Sequence, residues 1–177
     1  MTREEATYYR LMLEQGLTAR FDAWLNEQLD GGPLEGLTLD LAWAKDRNEQ
    51  IHLLNDYILN AGPTRVDRDA VLDLVLADMR AFYETNAMPL SELTRLMATL
   101  AENSDFADDS AEWDFMRDLH FFYERAEEGD FPPADFEKAF QDFLHDKKRF
   151  NPYASGKPQK TSLLARFTAA LGWKKHL

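Results

Sequence analysis

Two short spacings in this chain could seat a metal ion. Glu49-x-x-His52 and Asp142-x-x-His145 each set a carboxylate and an imidazole on adjacent turns of one helix face. Bundles that hold two metal ions use this pair twice and add one Glu from each of two facing helices. The donor set is sound, because imidazole and carboxylate can share one divalent ion. Chance also supplies it in a chain with 32 Asp and Glu. His52 falls at the side of its segment's apolar stripe. His145 falls in a last turn beside Asp146 and Lys147, where a solvated cap is the usual role. No frame of long segments with inward Glu residues completes the site. A metal-dependent helical enzyme using Glu49, His52, Asp142 and His145 therefore stands as an alternative, and no cofactor is expected.

His120 lies within an apolar stripe between Met116 and Tyr123. A general base needs a perturbed group in a cleft with a partner. The spacing shows neither, so His120 reads as a core histidine held by a polar neighbour. There is no G-x-S-x-G elbow, no H-E-x-x-H and no dinucleotide loop. Ser155-Gly156-Lys157-Pro158 lacks both the upstream glycine and the hydroxyl residue of a phosphate loop. Cysteine is absent, which removes thiol nucleophiles, thiolate ligands and disulfides together. A non-enzymatic protein is expected.

Charge is the remaining signal, and it is divided along the chain. The 177 residues carry 20 Lys and Arg against 32 Asp and Glu, a formal net charge of −12. All 32 acids, from Glu4 to Asp146, lie in the first 146 residues with 12 bases, a net of −20, while the last 31 residues hold eight bases and no acid. A duplex-DNA-binding module needs a concentrated basic surface, which the body lacks. The densest acidic stretch runs from Glu102 to Asp118 with only Arg117 to offset it. It is not an EF-hand, because no glycine occupies the sixth position and Phe106 and Ala107 interrupt the oxygen ligands. What remains is a negative patch at a helix N-terminus: a solvated face, or a docking surface for a basic partner. In the second case Asp105, Asp108, Asp109, Glu112 and Asp114 supply the field, and Phe106 and Trp113 the exposed anchors. Glu124, Glu127, Glu128 and Asp130 would extend it.

The elements that must position these groups are helices. Thr2 and Glu5 form a capping box and Gly16 closes that helix. Thr18 caps a second helix with Phe21, Trp24, Leu25 and Leu29 inward. Residues 37–44 read as a short helix, and Asp46 caps a longer one bearing Ile51, Leu54, Ile58 and Ala61. The stretch 67–86 has two adjacent apolar stripes and reads as the most buried helix. Helices starting at Ser91, Ser110 and Pro133 follow. The expected fold is all-α, a compact irregular bundle of about eight helices in antiparallel pairs, with a short C-terminal amphipathic helix. No repeat at solenoid periods is present.

The division expected is an acidic helical domain over 1–148, a linker over 149–160 and a basic amphipathic tail over 161–177. In the tail, Leu163, Leu164, Phe167 and Leu171 share one face, followed by Trp173, Lys174 and Lys175. Such a segment can fold back on the acidic body, fill a partner's groove or lie on an anionic membrane surface. Its apolar face is too short to hold a membrane without a second signal. The N-terminus is acidic where a signal peptide is basic, and no apolar run is long enough to span a bilayer, so a cytoplasmic location is expected. The leading reading is a cytoplasmic interaction protein with an acidic surface for a basic protein partner. An immunity-type inhibitor of a basic nuclease toxin is one version. A metal-dependent enzyme and a membrane adaptor using the tail are the alternatives.

Overall fold

The computed structural model describes residues 1–62 and 65–151. The readings made for Leu163, Leu164, Phe167, Leu171, Trp173, Lys174 and Lys175 lie outside the described residues. Among the described residues there are eight helices and no strand. They are α1 (Arg3–Glu14), α2 (Ala19–Asp30), α3 (Gly36–Trp43), α4 (Arg47–Asn60), α5 (Arg68–Glu84), α6 (Leu90–Ser104), α7 (Ala111–Glu127) and α8 (Pro133–Asp146). None of them is long and apolar enough to cross a membrane.

Local chemistry sets most of these boundaries. The Thr2 hydroxyl accepts the Glu5 N–H while the Thr2 N–H donates to the Glu5 carboxylate, so two orphan donors of α1 are satisfied reciprocally. Asp46 and Asp67 accept first-turn N–H groups of α4 and α5. Gly16 turns the chain out of α1 at φ +73°, a conformation other side chains resist. Two expected caps differ. Thr18 sits at the start of α2 in a helical backbone conformation and makes no cap bond, because that geometry turns its hydroxyl away from the N–H groups. Ser110 donates instead to Glu112, at 3.3 Å.

Directions follow from named contacts. The Arg3 guanidinium donates to the Ile58 carbonyl and Tyr57 donates to the Met1 carbonyl, so α1 and α4 run antiparallel. Thr94 meets His120 while the 105–110 loop joins the other ends of α6 and α7, a second antiparallel pair. Tyr83 on Glu137 and Asp73 on Lys147 make α5 and α8 a third. Across the middle, α1 and α5 run parallel, with Glu4 on Asp67 and Tyr8 on Asp78. Thus α1 and α5 form the centre: α1 packs on α4, α5 and α6, and α5 packs on α6 and α8.

The buried side chains form one cluster, whose largest fully enclosed members include Tyr8, Phe21, Trp113, Phe136, Phe140 and Phe143. Each such burial stabilises by about 1.5–3 kcal/mol relative to exposure. The α2–α4 segment contributes least, since Phe21, Leu25, Leu41 and Leu54 are its buried apolar residues. Leu29 and Ala61, expected inward from spacing, are exposed.

Candidate partner-binding surface

The 105–114 segment is built differently from its sequence expectation. Asp105 ends α6 in the left-handed conformation, φ 59°, and the chain then turns Phe106 inward. Trp113 is 0% exposed, and Phe106 packs edge-on against it at 5.2 Å. The indole N–H donates to the Arg68 carbonyl at 3.1 Å. Trp113 is therefore a core residue rather than an exposed anchor, because the first turn of α7 lies against the first turn of α5. Phe106 is half-buried beside it.

The carboxylates of this segment are largely engaged by arginines, Arg117 from within the stretch and the others from distant positions. Arg117 holds Asp108 at 3.3 Å and also Asp114. Arg68 approaches Asp109 at 3.4 Å and Arg65 does so at 3.9 Å. Arg149 reaches Glu112 at 3.6 Å. Exposed pairs of this kind add only about 0–1 kcal/mol each, but they neutralise the local field. A hollow of about 440 Å³ lies between the starts of α5 and α7, where Arg65 and Arg68 alternate with Asp67, Asp69, Asp109 and Glu112. Its walls carry both signs, with Asp109 already paired to the two arginines. Asp105 is the one carboxylate of the expected set outside these ion pairs among the described residues.

The metal-spaced pairs are not assembled. Glu49 accepts the Lys45 N–H at 2.6 Å and so caps the approach to α4. His52 is exposed on the outer face of that helix. Asp142 pairs with Lys138 at 2.7 Å, and His145 faces Glu84 at 3.8 Å. No group of three metal-ligating side chains occurs among the described residues. Each carboxylate is engaged locally, Glu49 by the Lys45 N–H and Asp142 by Lys138.

His120 is a half-buried interface residue. Its Nδ1 lies 3.1 Å from the Thr94 hydroxyl, its Nε2 accepts from Arg95 at 3.4 Å, and its ring stacks on Tyr123. It is held by polar neighbours and opens on no cavity described here.

A different surface combines exposed apolar groups with unpaired acids. Between Asp22 and Ala44 the chain has five acids and no base. Asp22 is taken by Arg47 at 3.0 Å, but Glu27, Asp30, Glu35 and Asp40 are exposed and form no ion pair among the described residues. A cleft of about 390 Å³ opens between the end of α2 and the start of α3, with Glu27 and Glu35 on its walls and Gly31, Gly32, Pro33 and Thr38 around it. On α3, Leu39, Asp40 and Trp43 share the outward face, and Trp43 is 81% exposed. Leu29 is exposed on α2. Only Leu41 of α3 is buried, its carbonyl accepting the Gln50 amide at 3.0 Å, so the other side of this helix is left to solvent. The base-free run of acids was the available sequence signal for this surface; the exposure of Trp43 had none.

A comparison of the chain with family models, curated proteins and solved structures finds no match.

Proposed function

We propose that the protein is a non-enzymatic interaction protein whose α2–α3 surface binds a basic protein partner. The observation that carries this reading is the exposed Trp43 on a helix face shared with Asp40, on the helix whose start borders the carboxylate-walled cleft. A fully solvated indole is costly to keep on a surface and is a common anchor in interfaces. Here Trp43 would cover the stem of one Lys or Arg beside Asp40 while a second cation enters between Glu27 and Glu35, combining apolar contact, cation–π attraction and charge pairing. The unpaired acids would steer a basic partner towards the surface. Inhibition of a basic nuclease toxin, in the manner of an immunity protein, is one concrete form of this role. A cytoplasmic site of action belongs to the same proposal, supported by the cysteine-free composition.

Affinity capture from the native host, run in parallel with Trp43→Ala and with Glu27→Gln/Glu35→Gln, tests the reading. The expected result is a basic protein retained by the parent chain, at least about tenfold more weakly by each variant, the scale of one lost anchor. Retention should also decline with added salt. A partner held equally by all three proteins, or held independently of salt, overturns the proposal.

A further inference from the structure

We propose that the outward face of α7 around Phe121 seats this chain's own C-terminal segment, residues 161–171. This inference concerns a surface separate from α2–α3 and does not depend on the partner proposed there.

The place where the chain leaves the described body is the first argument. Phe150 packs against Phe131 at 5.7 Å and against Phe122 at 6.2 Å, and Phe122 packs against Phe121 at 5.8 Å. The four rings form a ladder whose outermost member, Phe121, is 53% exposed. The described chain ends one residue past Phe150, which is separated by Phe122 alone from Phe121, the one ladder ring that is more exposed than buried.

Charge supplies the second argument. The first three cations after Asp146 already rest on carboxylates of the body: Lys147 on Asp73 at 2.6 Å, Lys148 on Asp146 at 2.8 Å and Arg149 on Glu112 at 3.6 Å. Five more follow without an acid, Lys157, Lys160, Arg166, Lys174 and Lys175. On α7, Asp118 precedes Phe121 by one turn and Glu124 follows it by one, both exposed. Asp118 has no cation within pairing distance among the described residues, and Glu124 has only His120, at 3.4 Å. Burial and the neighbouring Asp114 carboxylate make Asp118 a weaker acid than usual, a penalty that an approaching cation relieves.

Apolar complementarity and reach complete it. Spacing puts Leu163, Leu164, Phe167 and Leu171 on one face, a partner for an exposed aromatic ring whose neighbouring cations, Arg117 and Arg125, are already held by Asp108, Asp114, Glu128 and Asp130. From Asn151 to Leu163 an extended chain spans up to about 40 Å, whereas α7 is about 25 Å long. Tethering holds such a segment at an effective concentration on the order of millimolar, so a weak contact is well populated.

Paramagnetic relaxation in the full-length chain tests this. The chain is free of cysteine, so Ala165→Cys, on the side opposite Leu163 and Phe167, takes a single nitroxide label without disturbing the apolar face. The expected result is loss of amide signal across residues 118–125, absent when Asp118→Lys, Phe121→Ser and Glu124→Lys are combined, with the remaining spectrum of that variant unchanged. Mixing labelled chain carrying no ¹⁵N with unlabelled ¹⁵N chain should give no loss. Signal loss confined to another surface, no loss anywhere in the body, or loss in the mixed sample, which means docking between copies, each overturns the proposal.

Discussion

Trp113 donates its indole N–H to the Arg68 carbonyl across 3.1 Å, while the Arg68 side chain approaches Asp109 at 3.4 Å. One residue at the start of α5 thus holds the loop before α7 by its side chain and the first turn of α7 by its main chain. The α5–α7 junction is closed from both sides, and the acidic segment around it is fixed as a structural join.

Trp113→Ala should destabilise the protein by about 3–5 kcal/mol, the range for removing a fully buried indole. Trp113→Phe retains much of the volume but leaves the Arg68 carbonyl without its donor, and should cost about 1–2 kcal/mol. Urea unfolding of the two variants checks the order. Equal losses would mean that the hydrogen bond, not the packing, holds the junction.

A second join lies at the centre of the bundle. The buried Tyr8 hydroxyl donates to Asp78, Arg20 donates to the other carboxylate oxygen at 2.6 Å, and the guanidinium lies over the Tyr8 ring at 5.4 Å. Burial first and the Asp78 carboxylate second push the Tyr8 ionisation far up, so it remains a donor at any working pH. Asp78→Ala strands that hydroxyl and should cost about 1–3 kcal/mol. In a double-mutant cycle with Tyr8→Phe the combined loss should fall short of the sum by at least about 0.5 kcal/mol. Additive losses would contradict the coupling.

Much of the fold was legible because helix punctuation is local. Thr2 with Glu5, Asp46 and Gly16 each act through neighbours within four positions, and the two adjacent apolar stripes read over 67–86 are inward on α5. The surface was far less legible. Periodicity assigns a residue to a face but not a covering to that face, so Leu29 looked inward and is exposed. The Glu102–Asp118 stretch looked unopposed because Arg65, Arg68 and Arg149, which neutralise it, are distant in sequence. Trp113 looked like a surface anchor for the same reason: the carbonyl that takes its indole N–H belongs to Arg68, 45 positions away.

Two carboxylates should give opposite pH signatures. The Asp67 N–H donates to Glu4 at 3.0 Å and holds that carboxyl below its usual range. Its contribution is present above the unfolded value near about 4.3 and is lost as the pH falls through the lower folded value. Asp118 is raised, by burial first and Asp114 second. The folded state then binds its proton more readily, so its ionised form weakens the fold above the usual range and the penalty disappears in acid. Glu4→Ala should lower stability at neutral pH by about 1 kcal/mol, a loss that shrinks towards pH 3. Asp118→Asn should raise neutral stability, with the gain vanishing over the same range. Urea midpoints across that range decide both, and a constant offset in either variant contradicts its assignment.

The tautomer of His120 follows from the hydroxyl beside it. Thr94 is 0% exposed, and its hydroxyl proton goes to the Ser91 carbonyl at 3.1 Å, which leaves its oxygen to accept from His120 Nδ1. Nε2 is then the unprotonated nitrogen, and it receives the Arg95 Nε–H. The proton of neutral His120 should therefore sit on Nδ1, readable as the imidazole ¹⁵N shift pattern at alkaline pH. Thr94→Val removes the acceptor and should abolish that preference, while Arg95→Ala should weaken it. A neutral ring protonated at Nε2 would contradict this arrangement.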